Sequence, residues 1–185
     1  MGKIYIVRHG QTDANAAGIV HSRTDTCGLN DVGRKQADEV KKQLENIRFD
    51  EVFCSPKRRA LETCRIICDK ECTIDVRLDE RDFGELEHKI FWPIPDFDIE
   101  IVHDMNREYS YEGVEPLAHA KERIHEFINE IKEKHRGKNV LVVSHAGSAG
   151  LNSKIYVLGP SPDGKYWKPP YLFDNCEVLE IDNCG

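Results

Sequence analysis

The chain of 185 residues is long enough for one domain, or one domain with a modest insertion, built around a substantial core. With 39% hydrophobic and 32% charged residues, it has the make-up of an ordinary soluble globular protein. Its formal net charge of −7 argues against nucleic acid or an anionic membrane as the main partner, since both require basic surfaces, but leaves room for a local positive pocket.

The N-terminus enters a strand directly, Lys3–Val7, without the basic-then-apolar layout of a signal peptide. Gly2 makes no myristoylation signal, because Ile6 stands where Ser or Thr is needed. Beyond Arg8-His9-Gly10-Gln11-Thr12, Asn30-Asp31 offers capping oxygens to a helix over Gly33 to Asn46, where Val40, Leu44 and Ile47 follow the i, i+4, i+7 rule. A strand over Glu51–Cys54 comes next. Ser55-Pro56 reads as N-cap and first position of a helix over Lys57–Cys68, and Thr73–Val76 as a third strand. The longest helix is expected from Pro116 to about His135, with Leu117, Ala120, Ile124, Phe127, Ile128 and Ile131 facing inward and Gly137 ending it. A strand over Asn139–Val143, a helix from near Gly147 to Leu158 and a strand over Glu177–Ile181 complete the series. Strands alternating with helices predict a three-layer α/β/α sandwich with a mostly parallel central sheet.

Two stretches fall outside this scheme. Ile90 to Tyr111 is rich in aromatic, proline and acidic residues, and Gly159 to Pro170 carries turn residues around Tyr166-Trp167. Long irregular segments in compact domains are often lids or specificity loops, so residues 1–185 are read as a single domain with a short lid or specificity insertion around 88–115. Trp92 and Trp167 are candidates to line a substrate pocket or to pack in the core. No apolar run nears the roughly 20 residues of a membrane-spanning helix, and a cytoplasmic location is expected. Of the seven cysteines, Cys64, Cys68 and Cys72 recur every four residues and would share one face of a helix. Without a second cluster to complete a zinc site, they are read as reduced core residues, with a metal or redox role as the alternative.

The strands Lys3–Val7 and Asn139–Val143 each deliver a histidine near their C-terminal end, His9 and His145, at the sheet edge where open α/β folds bind ligands. Arginines stand beside the first at position 8 and again at 58 and 59. Metal-free phosphoryl transfer needs an in-line nucleophile, cations or donors for three equatorial oxygens, and an acid for the leaving oxygen. His9 is the candidate nucleophile, because neighbouring arginines repel the imidazolium charge and favour the neutral ring. Gly10 lets the backbone turn out of the strand close to a ligand. Arg8 and Arg59 are candidate clamps for phosphoryl oxygens, and His145, when protonated, a third cationic donor. Ala146-Gly147 would add amides from a helix N-terminus. Glu80, within Leu78-Asp79-Glu80-Arg81-Asp82-Phe83-Gly84, supplies a carboxyl group, and His21 and Ser22 are candidates to touch substrate or plain loop residues.

Arg8-His9-Gly10-Gln11-Thr12 with Asn15 resembles the N-terminal signature of the histidine phosphatase superfamily, the phosphoglycerate mutase-like family. The similarity continues through Gly18, Asp25, Leu29, Gly33 and Gln36-Ala37. Ser55-Pro56-Lys57-Arg58-Arg59-Ala60 with Thr63 is similar to the family's second arginine motif, in which Arg59, directly before Ala60, takes the clamp position rather than Arg58. Glu80 with Phe83-Gly84 resembles its acid-bearing motif, and Val143-Ser144-His145-Ala146-Gly147 its second histidine motif. The resemblance implies a covalent phosphohistidine on His9, a phosphoryl group bound by Arg8, Asn15, Arg59 and His145, and Glu80 as the proton donor that later activates water. Three departures bear on substrate choice. Ala146 intervenes where the family often has two glycines, Ser148-Ala149-Gly150 stands where many members carry an arginine or other polar residue, and Glu87-His88 replaces the frequent Glu-Gly.

The expected activity is therefore a phosphatase that hydrolyses the phosphomonoester of a small metabolite, releases inorganic phosphate and uses no metal or cofactor; Ala146 joins Asn15, His21 and Ser22 as its substrate-binding candidates. A phosphoglycerate mutase is the alternative within enzymes, disfavoured because little chain lies between the acid motif and the long helix to keep water from an intermediate. A non-catalytic phospholigand-binding module of the same fold is the alternative outside enzymes; the intact set His9, Arg8, Arg59, Glu80 and His145 stands against it.

Overall fold

Strands β1 (Lys3–Arg8), β2 (Glu51–Cys54), β3 (Thr73–Ile74), β4 (Val140–Ser144) and β5 (Val178–Asp182) make one sheet in the order β3-β2-β4-β1-β5. The first four run parallel, and β5 closes the edge antiparallel to β1. The computed structural model describes residues 2–24, 26–90, 112–162 and 170–184. Asp25, Trp92, His103 and Trp167, with most of the insertion expected around 88–115, lie outside the described residues.

Side chains alternate across the sheet, and both faces are covered. Tyr5 and Val7 of β1 pack with Val40 of helix α2 (Asp31–Gln43) and with Ala60, Cys64 and Ile67 of helix α3 (Arg58–Ile67). Ile4 and Ile6 pack with Ile124, Phe127, Ile128 and Ile131 of helix α4 (Leu117–Lys134). Burial on both faces is why β1 and β4 read as continuous apolar runs rather than as alternating ones. This is the expected three-layer α/β/α arrangement with a mostly parallel sheet.

Local chemistry sets the element ends. Asn30 caps α2, its side-chain oxygen accepting from Gly33 N at 2.9 Å. Ser55-Pro56 does not start α3 as the sequence suggested; the N-cap is Lys57, and the Ser55 hydroxyl is turned toward His145 instead. Asp75 ends β3 early by accepting from Arg77 N at 2.8 Å and capping the 3₁₀ turn Val76–Leu78. A four-residue helix α1 (Asp13–Ala16), held by a capping box between Thr12 and Asn15, has too few residues to show a period and was not anticipated. After β4 the chain forms a π-helical turn, Ala146–Gly150, closed by Gly150 N donating to His145 O at 2.8 Å. Helix α5 (Leu151–Leu158) continues that turn without a break, so the helical stretch opens at Ala146, beside the expected Gly147, and its first turn is π rather than α.

His88, one of the three departures noted above, has φ of +66°, a conformation that glycine holds without strain. Its amide donates to Val20 O at 2.8 Å, tying the acid-motif segment to the loop that carries His21. His88→Gly is expected to stabilise the fold by about 0.5–1 kcal/mol, the relief of left-handed strain exceeding the added freedom of the unfolded chain. Urea unfolding with an unchanged m-value would measure it, and a lower midpoint would show that the His88 ring contributes more than its backbone costs.

Candidate active site

Strand register brings the two histidines together. Arg8 of β1 pairs with Ser144 of β4, so the next residue in each parallel strand is an imidazole, and His9 N donates to Ser144 O at 2.9 Å. The ring centroids of His9 and His145 lie 5.1 Å apart. The sharp exit of the chain at Gly10 depends on two glycines. A Cβ on Gly10 would stand 2.4 Å from Gly33 O, and one on Gly33 would stand 2.1 Å from Gln11 O. Thr63 of α3 secures the turn, its hydroxyl accepting from Gly10 N at 3.0 Å.

A hydrogen bond to a carbonyl fixes the tautomer of His9, and a contact with a hydroxyl bears on that of His145. His9 Nδ1 is 2.8 Å from Gly10 O, a carbonyl that only accepts, so Nδ1 carries the proton and Nε2 the lone pair. Ser55 Oγ accepts from Lys57 N at 3.3 Å and lies 2.7 Å from His145 Nε2; with the hydroxyl as donor in that contact, the N–H of His145 sits on Nδ1. Both rings are buried. Burial first, then the Arg59 guanidinium, hold the pKa of each well below the ordinary 6.5, with Arg8 adding to the effect. In the unliganded site His145 is therefore a neutral donor rather than a cation.

Arg59 is fully buried, whereas the Arg58 side chain is 67% exposed and paired with Glu62 at 2.7 Å, which separates the two arginines by environment. Arg59 Nη2 donates to Ser22 O at 3.4 Å, and Arg8 Nη1 to Phe173 O at 2.8 Å. Arg8 Nε, Arg59 Nε, Arg59 Nη1 and His145 Nδ1 are buried donors with no hydrogen-bond partner among the described residues. Leaving one such donor unsatisfied costs about 1–3 kcal/mol, more when it is charged. Four of them around a lone-pair nitrogen match an anion with several oxygens.

Glu80 is buried within the same cavity. Its Oε1 accepts from Arg81 N at 2.8 Å and its Oε2 from Gly147 N at 3.4 Å. Burial raises its pKa against the pull of the Arg81 amide, Arg59 and Arg8, so the carboxyl holds its proton longer than an exposed one. A Cβ on Gly147 would stand 2.9 Å from Glu80 Oε1, so this glycine gives the acid its room. The Gly147 amide, expected to serve an oxyanion, is thus aimed at the acid.

The cavity, about 300 Å³ in volume, is lined by Arg8, His9, Asn15, His21, Glu80 and Ala146 among others. Asn15 donates to His21 Nε2 at 3.0 Å, and His21 Nδ1 lies 3.3 Å from Cys27 Sγ. Arg59 and His145 are buried beside the cavity, and Ser22, also fully buried, does not line it; its amide donates to Glu87 at 2.9 Å. Asn175 went unnoticed in the sequence, yet it lines the cavity and donates to His9 O at 3.0 Å and Asn15 Oδ1 at 3.3 Å. Asn175 lies in a stretch without a catalytic pattern of its own, and Ser55, though it opens the second arginine motif, was read only as a helix cap; the pairing of β2 and β5 with the central strands brings both here. Among the described residues, no three ligand atoms of His, Cys, Asp or Glu converge at this cavity; those that do converge belong to Cys54, Cys64 and Cys72.

Comparison with known proteins places these features in context. A family model described as the histidine phosphatase superfamily (branch 1) matches residues 4–182. A Hydrogenobacter thermophilus protein provisionally named phosphoserine phosphatase 2 is 30% identical over 98% of this chain and 89% of its own length. A protein of Allorhizobium ampelinum named 2,3-bisphosphoglycerate-dependent phosphoglycerate mutase is 33% identical over 85% of this chain and 79% of its own. The solved structure of Bacillus stearothermophilus YhfR is 26% identical and superposes with a TM-score of 0.82, covering 98% of this chain and 91% of that one.

Proposed function

The chain belongs to the histidine phosphatase superfamily, branch 1, and from that premise we propose that it hydrolyses small phosphomonoesters through a phosphohistidine on His9, without a metal. The observation that carries this reading is the set of buried donors on Arg8, Arg59 and His145, without partners among the described residues, that neighbour His9, whose Nε2 holds the lone pair. In the first step Nε2 attacks phosphorus and the ester P–O bond breaks. Glu80 gives its proton to the departing alkoxide. Arg8, Arg59 and His145 Nδ1 stabilise the charge on the equatorial oxygens, with Asn15 oriented by its bonds to Thr12, Asn175 and His21. In the second step Glu80, now a carboxylate, takes a proton from water; the hydroxide oxygen bonds to phosphorus, the N–P bond breaks and inorganic phosphate leaves.

Two relatives support different fates for the intermediate, since one bears a phosphatase name and the other a mutase name. Hydrolysis is the preferred reading, on the short stretch of chain between the acid motif and α4. The test is turnover of an aryl phosphate in EDTA, coupled to rapid quenching of a radiolabelled ester. The expected results are undiminished activity and one covalent phosphoryl group per chain, stable in alkali and lost in acid. Activity abolished by EDTA, or turnover with no trapped intermediate, would remove the proposal. Interconversion of 2- and 3-phosphoglycerate outpacing phosphate release would replace hydrolysis with the mutase reading.

A further inference from the structure

Three cysteines from separate elements converge away from the reacting groups. Cys54 ends β2, Cys64 sits in the last part of α3, and Cys72 directly precedes β3. Their sulfur atoms all lie within 4.8 Å of one another. The even spacing of Cys64, Cys68 and Cys72 had suggested one helix face, but α3 stops at Ile67 and Cys68 is extended, with φ −139° and ψ 131°. The chain turns back after α3, so Cys72 rather than Cys68 joins Cys64, and the sheet adds Cys54.

We propose that Cys54, Cys64 and Cys72 form a structural site for a thiophilic divalent cation, zinc being the best match, with a solvent molecule as fourth ligand. A tetrahedral zinc with Zn–S bonds of about 2.3 Å places its sulfurs about 3.8 Å apart, so the triangle has to contract by about 1 Å at most. Cys54 and Cys64 are buried and Cys72 half-buried, and a groove lined by Cys64, Cys68, Arg65, Lys70 and Cys72 opens over them. That groove gives the ion a route from solvent and the fourth ligand a position. On binding, three S–H bonds break, three metal–thiolate bonds form and three protons pass to solvent, leaving a net charge of −1 in a groove whose charged lining is balanced, Arg65 and Lys70 against Asp69 and Glu71. No electron moves, so no oxidant is needed.

The site adjoins the reaction centre in the chain without entering it, and its metal has no part in turnover. Cys54 immediately precedes Ser55, which holds His145, and Cys64 immediately follows Thr63, which holds the Gly10 amide. Phosphatase turnover in EDTA and occupancy of this site are thus separate observables, and failure of either reading leaves the other standing.

The experiment is titration of the reduced, metal-stripped full chain with Co²⁺, followed by displacement with Zn²⁺. One Co²⁺ per chain with thiolate-to-cobalt charge-transfer absorption is expected, together with protection of the partly exposed Cys72 from a chromogenic disulfide and a higher unfolding temperature. Cys72→Ser, at the most accessible ligand, should weaken binding by roughly 100-fold, and Cys68→Ser should leave it unchanged. Circular dichroism and retained turnover verify that each variant folds, with Cys64→Ala as the second ligand variant. Absence of stoichiometric uptake by the wild-type chain, or uptake that neither ligand variant weakens, would overturn the site. So would rapid loss of two thiols to a disulfide in place of metal binding.

Discussion

Replacing His9 with alanine is expected to stop turnover, lowering kcat by about 10⁴-fold or more. The variant should still bind inorganic phosphate, because Arg8, Arg59 and His145 keep their donors while the attacking lone pair is gone. Steady-state hydrolysis of an aryl phosphate, calorimetric phosphate binding and covalent labelling together check this. Survival of most activity would transfer the nucleophile to another group, with His145 the nearest ring. A second consequence follows from the depressed pKa. The folded state holds His9 neutral while the unfolded chain protonates it near 6.5, so its contribution to stability is present above that value. It is lost as pH falls from there toward the lowered folded value. His145 behaves in the same way, and His9→Ala should therefore lose less stability than the wild type on acidification.

How far the sequence disclosed this centre depends on how local each signal is. β1 and β4 were legible because burial on both faces leaves an unbroken apolar run, and the two histidines because each follows such a run. Their adjacency rests on register: only the pairing of Arg8 with Ser144 sets ring beside ring. Ser55-Pro56 misled because a hydroxyl before proline is the ordinary opening of a helix, and nothing nearby in the chain shows that His145, ninety positions on, takes that hydroxyl. Asn175 and Cys54 are likewise defined by partners distant in sequence. The cysteine row was misread for the complementary reason, that a period of four presumes a helix, and α3 ends before its second member. Arg81, fully buried with its guanidinium on Glu115 O at 2.8 Å, gave no sign of its burial because a charged residue in a charged stretch reads as surface.

Changing Glu80 to glutamine should lower kcat by about 10²–10⁴-fold for an alkyl phosphate, whose departing alkoxide must be protonated. A nitrophenyl ester should lose no more than about tenfold in its first step, because nitrophenolate leaves without a proton. The pH dependence carries the same logic. The proposed mechanism requires His9 neutral and Glu80 protonated, so kcat/KM for the alkyl ester is expected to rise with pH through the lowered pKa of His9 and fall through the raised pKa of Glu80. Glutamine should remove the falling limb that belongs to Glu80; comparing both proteins on the same ester cancels the titration of the substrate itself. Equal losses on the two esters, or an unchanged falling limb, would reassign the acid. The neighbouring carboxylates are poorly placed to take over. Asp79 is engaged by Lys57 at 3.4 Å and by the Glu80 amide at 2.8 Å, and Glu87 by the Ser22 amide and the Thr24 hydroxyl. Neither lines the cavity, and Glu87 is held below the usual carboxylate range because those hydrogen bonds together outweigh its burial. Of these three carboxyls only Glu80 combines a wall of the cavity with a raised pKa, so it is the one able to hold a proton where a leaving oxygen would need it.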